Sequence, residues 1–132
     1  MFGFFKKKDD GKDRTAIAIK QEFDQAIAVA RVAPLSKQAR VGKGIVDALS
    51  DFDRKYTMES FQRRPFQEQK AFMDSLAVKQ EELRLKDGDV SIEHIGYSLV
   101  SRWVLAVAMD DDQLVRHFDD HMVYFKRAAQ TL

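Results

Sequence analysis

An all-α, single-domain bundle of about five helices is the fold class that the sequence predicts. Three observations carry it. Glycine (6) and proline (2) are scarce among the 132 residues, whereas a sandwich or barrel of short strands needs turn residues every ~8–12 positions. Apolar residues recur at three- and four-residue spacing over segments too long for strands. One segment, near residues 91–109, is apolar nearly all round and therefore belongs at the centre of a bundle. The length suits one hydrophobic core, with residues 1–13 as a flexible aromatic-basic lead and residues 14–132 as the bundle domain.

The first helix is expected from Thr15, which can cap it with Asp13 as a rival, to Ala33. Ile19, Phe23, Ala26, Ile27 and Ala30 share one side. Pro34 ends it, because the residue before proline is pushed out of the helical region. A second helix from near Ser36 toward Tyr56 carries Val41, Ile45, Leu49 and Phe52. Gly42 and Gly44 weaken its middle by roughly 1 kcal/mol each relative to alanine, which marks either a close crossing or a break. The stretch Tyr56 to Arg64 reads as a connection with some helical character.

Pro65 suits the first turn of a third helix. Its apolar side is Phe66, Phe72, Met73, Leu76 and Leu83, and Gly88 is a C-terminal cap. Asp89 or Ser91 opens the fourth, where Ile92, Ile95, Leu99, Trp103 and Ala106 lie on one face and Val100, Val104 and Val107 on another. The run Asp110 to Asp112 interrupts the pattern and starts the fifth helix, placing negative charge on that helix's positive end. Leu114, Val115, Phe118, Met122 and Phe125 form its buried stripe.

Composition narrows the chemistry. An apolar fraction of 45% with 33% charged residues is that of a globular chain. The absence of cysteine excludes disulfides, thiolate-held zinc and cysteine nucleophiles. It also fits a reducing compartment. The opening lacks the pattern of a secretory signal, and the longest apolar stretch, Tyr97 to Met109, carries Arg102 and falls short of the ~20 residues of a bilayer span. The expected location is cytoplasmic, or peripheral at a membrane if the lead anchors there.

Net charge is +1, but the halves differ: residues 1–64 balance at +5 and residues 65–132 at −4. That mild asymmetry is not the concentrated basic face of a nucleic-acid binder, so nucleic acid is not an expected partner.

The sharpest constellation is His117 and His121, four apart on one helix side, a geometry that lets two imidazoles share a metal. Asp119 and Asp120 point elsewhere by helical phase, so a third ligand must come from another helix. The segment lacks H-E-x-x-H, and none of the three histidines ends a Glu-x-x-His motif. His94 reads as an exposed first-turn histidine. Gly42-Lys43-Gly44 lacks the P-loop spacing. Arg102 reads as a side chain whose stem covers core while its head pairs outward.

The opening places Phe2, Phe4 and Phe5 beside Lys6, Lys7 and Lys8. These six residues are candidate membrane or partner contacts, since each lysine near an anionic surface contributes about 1 kcal/mol. Asp9, Asp10 and Asp13 cancel much of that charge.

No convergent catalytic set and no cofactor motif emerges. The sequence therefore predicts a non-enzymatic helical interaction or regulatory module, with a protein partner or self-association. The opposite charge of its halves favours contact between copies. The alternatives are a metal-binding bundle using His117 and His121 and a peripheral membrane protein tethered by residues 2–8.

Overall fold

The computed structural model describes the backbone of residues 2–87 and 92–132, with the side chains of residues 11, 13–86 and 92–132. Six helices and no strand occur among the described residues: α1 (Phe2–Arg31), α2 (Leu35–Lys55), α3 (Met58–Gln62), α4 (Phe66–Asp87), α5 (Glu93–Ala108) and α6 (Asp112–Ala129). The expected all-α bundle is the observed fold. Its sixth helix, α3, is the connection the sequence marked as partly helical. Thr57 caps it: its side chain accepts from the Ser60 N–H at 3.1 Å while Ser60 Oγ accepts from the Thr57 N–H at 2.8 Å.

Helix α5 touches each of the other five helices, as its all-round apolarity requires. Leu99, Val100, Val104, Ala106 and Val107 are fully enclosed there. The core continues through Phe23 of α1, Phe52 of α2, Phe61 of α3 and Phe118 of α6. Phe52 anchors an aromatic cluster, with Trp103 at 5.1 Å and Phe61 at 5.3 Å between ring centroids, both edge-on. That geometry is favoured because the positive ring edge meets the negative ring face.

The glycines of α2 mark a crossing and not a break, since α2 runs unbroken through them. A Cβ on Gly42 would stand 1.8 Å from the Phe125 carbonyl oxygen of α6, and one on Gly44 2.2 Å from the Glu93 carbonyl oxygen of α5. Gly96 answers from α5, where a Cβ would meet the Ile45 nitrogen at 2.5 Å. Backbone touches backbone here, and only hydrogen fits between.

Two boundaries differ from expectation. Helix α1 starts at Phe2, well before the Thr15 cap, so Thr15 lies inside the helix and its hydroxyl donates back to the Gly11 carbonyl at 3.0 Å. Hydroxyls inside helices commonly bond the carbonyl four residues earlier, which removes them from capping. Asp89 and Ser91, the expected openers of α5, lie outside the described residues, and α5 begins after Ile92 without a side-chain cap.

The acidic run between α5 and α6 divides its labour. Asp110 turns the chain at φ 56°, a left-handed conformation that aspartate tolerates better than most residues. Asp111 caps α6 by accepting from the Leu114 N–H at 3.1 Å, and Asp112 stands in the first turn. Among the described residues no helix is long and apolar enough to cross a membrane.

Candidate functional site

His117 and His121 do come together, with ring centroids 4.4 Å apart, on the side of α6 that faces α1. Helix α1 supplies the third group. His117 Nε2 lies 2.7 Å from Asp24 Oδ1, and the Lys20 ammonium donates to the other oxygen of that carboxylate at 3.2 Å. Burial works to raise the Asp24 pKa, but the His117 hydrogen bond, with that of Lys20, outweighs it and holds the carboxyl below its ordinary value.

His121 Nδ1 is engaged with the His117 carbonyl oxygen one turn back at 2.8 Å, and its ring stands edge-on to Phe23. A shallow cavity of about 230 Å³ opens beside the pair, and Arg31 lines it with Asp24, Ile27 and Ala28. The guanidinium gives this cavity a cation of its own. Among the described residues no group of three or more histidine, aspartate or glutamate side chains is arranged to hold a metal ion. The arrangement fastens α1 to α6: a charge-assisted hydrogen bond beneath a stacked Phe23–Phe118 pair at 4.1 Å.

A second polar cluster was not foreseen. It fills a groove of about 330 Å³ between α2, α4 and α5, lined by Lys43, Asp47, Lys79, Glu82, Glu93 and Tyr97 among others. Glu93 is buried, with Oε1 3.5 Å from both the Arg40 guanidinium and the Lys43 ammonium. Lys43 also bonds Asp47 at 3.1 Å; that bond, against the opposing pull of burial, raises the lysine pKa. Asp51 pairs with both Lys79 of α4 and Arg54. Burial would raise its pKa, yet those hydrogen bonds bring it below the ordinary value.

Burial pushes the Tyr97 hydroxyl above its ordinary value, and the nearby Asp51 and Asp47 add to that. The phenol therefore stays protonated at neutral pH. Opposite charges interleave along this groove, so its chemistry is attachment: Lys79 ties the outer helix α4 to α2, and Glu93 ties α5 to α2.

His94 departs from expectation. It is half-buried, and its Nδ1 is enclosed without a hydrogen-bond partner among the described residues. The first turn of α5 is covered, because Gly44 of α2 packs on the Glu93 carbonyl next to it. Arg102 clasps α1 through Glu22 at 3.0 Å while also donating to the Ser98 hydroxyl at 2.8 Å. Trp103, expected as plain core, also donates its indole N–H to Asp119 of α6 at 2.8 Å.

Gln38 is a polar residue that spacing arguments passed over. Its amide donates to the Arg31 and Ala33 carbonyls at 2.9 and 3.0 Å, and its oxygen accepts from the Tyr124 hydroxyl at 2.7 Å. One side chain thus closes the α1–α2 turn onto α6. The side chains of Phe2, Phe4, Phe5, Lys6, Lys7 and Lys8, the candidate membrane or partner contacts, lie outside the described residues. No family model, curated protein or solved structure matches this chain.

Proposed function

We propose that the chain is a helical protein-interaction module that works by self-association or by docking a helical partner. One observation carries this reading: the two longest helices turn apolar side chains away from the bundle. On α4, Ala71, Val78 and Leu85 recur every seven residues along a line about 140° from the face that buries Phe72 and Leu76. Val78 is 57% exposed and Leu85 69%. On α1, Ile17 and Val29 stand out at 57% and 60%, and Val32 just past its end at 86%. Single exposed apolar residues, such as those of α1, are ordinary, but a row along a helix face, as on α4, suits a neighbouring helix.

The fold supports such a role physically. A bundle whose polar groups are spent on fastening helices presents rigid outer faces, and rigid faces associate with little ordering entropy. Sedimentation equilibrium over a wide concentration range tests the self-association arm. We expect the mass to rise from monomer toward dimer as concentration increases. Val78→Ser with Leu85→Ser then separates the two helices: an unchanged dimer assigns it to another face. A mass that stays monomeric throughout removes self-association from the proposal.

A further inference from the structure

Helix α1, with the turn residue Val32 that follows it, carries opposite its buried side a row whose spacing alternates between four and three residues: Arg14, Ala18, Gln21, Gln25, Ala28 and Val32. All six are exposed. Alternating four and three keeps a row on one face of a helix and is the spacing of helices that pair along their length. Apart from Arg14 the row holds no charge, although charged residues flank it. A face with so little charge repels no neutral partner.

We infer that this row is the contact between two copies of the chain, packed antiparallel about a two-fold axis level with Phe23. In that register Ala18 meets Ala28 of the second copy, Gln21 meets Gln25, and Arg14 meets Val32. Alanine against alanine allows close helix approach. The glutamines carry both donors and acceptors and satisfy one another, while the Arg14 stem lies along Val32 with its head in water. The inference rests on the self-association arm of the proposed function and names its partner.

Charge order along the edges selects this arrangement. In an antiparallel pair, each edge of the row faces the same edge of the second copy. One edge carries Asp13, Lys20, Asp24 and Arg31. About the same axis Lys20 falls opposite Asp24 and Asp13 opposite Arg31, each offset by about 3 Å along the helix and within reach of the long side chains. Asp24 also faces its own counterpart, and each copy already sets Lys20 and His117 against it. On the other edge Glu22 faces Glu22, where Arg102 stands 3.0 Å from each carboxylate and relieves the repulsion. Side by side in the same direction, this edge would instead face the edge that carries Glu22, and Asp13 and Arg31 would meet no opposite charge there. Exposed pairs of this sort add little affinity but fix orientation and register.

The chain contains no cysteine, so single cysteines report the register directly. The test mixes Ala18→Cys protein with Ala28→Cys protein under mild oxidation, after the wild type has been weighed by sedimentation. We expect a disulfide-linked dimer from the mixture and little from either variant alone. Gln21→Glu with Gln25→Glu, which gathers carboxylates at the axis, should abolish the dimer while circular dichroism keeps its helical signal.

A wild-type dimer whose mixture cross-links no better than the single variants overturns this face and leaves self-association standing. Cross-linking of Ala18→Cys alone overturns the antiparallel order. A wild type that is monomeric at every concentration overturns both the face and the self-association arm.

Discussion

Helices α2 and α1 are neighbours in sequence and opposites in environment. Helix α2 is pressed against α5 and α6 so closely that three glycines are needed where the backbones meet, at Gly42, Gly44 and Gly96. Helix α1 lies on the outside, with one apolar side on the bundle and a row facing water that is uncharged apart from Arg14. Much of its attachment is polar: Asp24 to His117, Glu22 to Arg102, and the turn held by Gln38. Shape therefore holds the interior, whereas discrete bonds hold the periphery. The same substitution should have opposite consequences in the two places.

Emptying the interior is the largest perturbation. Phe52 is almost fully buried and meets Tyr56, Phe61, Phe72 and Trp103 within 5.1 to 5.8 Å between centroids. We expect Phe52→Ala to lower unfolding free energy by about 3–5 kcal/mol, read from urea denaturation. A loss under about 1 kcal/mol would mean that the cluster collapses freely, and that shape does not hold the interior.

Glycine to alanine sharpens the contrast. At Gly44 the added methyl meets the Glu93 carbonyl oxygen at 2.2 Å, which is backbone and cannot swing aside. The helices must part, and Gly44→Ala should destabilise by about 1–3 kcal/mol. At Gly11, within α1, a Cβ meets nothing within 4 Å. There Gly11→Ala should stabilise by roughly 0.5–1 kcal/mol, the helix propensity difference alone. Equal signs in thermal denaturation would erase the distinction between the helices.

Between these lies the joint of the two helices. Gln38→Ala leaves the Arg31 and Ala33 carbonyls and the Tyr124 hydroxyl without their partner. A cost of about 1–3 kcal/mol follows if those groups stay dry. Amide exchange resolves the effect by location: protection should fall around the α1–α2 turn and hold in α5.

How much of this was legible in one dimension follows the same division. Features made by neighbours in sequence could be read. Pro34 stands between α1 and α2 and Pro65 at the start of α4, the acidic run separates α5 from α6, and the apolar circumference of α5 announced its place at the centre. Gly42 and Gly44 could be seen as a crossing or a break, but the deciding residue, Gly96, lies on another helix. The candidate site was legible by half. Spacing placed His117 beside His121, yet Asp24, which decides what His117 does, is 93 positions away. No local pattern marks it, and the same holds for Gln38 with Tyr124, 86 apart, and Arg102 with Glu22, 80 apart. The start of α1 was misread for a different reason. Thr15 is a fair cap in isolation, but in a longer helix its hydroxyl bonds the preceding turn instead.

The smallest expected effect separates packing from bonding at one residue. Asp119 accepts from the Trp103 indole at 2.8 Å, and burial lifts its pKa, a lift that the hydrogen bond only partly offsets. A carboxyl whose folded pKa lies above its unfolded value favours the folded state when protonated. Its contribution is therefore fully present below the unfolded pKa and is lost as pH rises through the folded one. Asp119→Asn keeps an oxygen for the indole and never ionises. The variant should match the wild type in acid and become slightly the more stable as the carboxyl ionises. Asp24 predicts the reverse, because its folded pKa lies below the ordinary value: its contribution is present above the unfolded pKa and is lost as pH falls through the folded one, so Asp24→Asn should weaken the fold at neutral pH and converge on the wild type in acid. Denaturation of both variants across that range tests whether the α5–α6 bond at Trp103 and the α1–α6 bond at His117 respond to protons with opposite sign. Parallel curves would show that the two sites share one electrostatic environment, and the division between interior and periphery would then rest on packing alone.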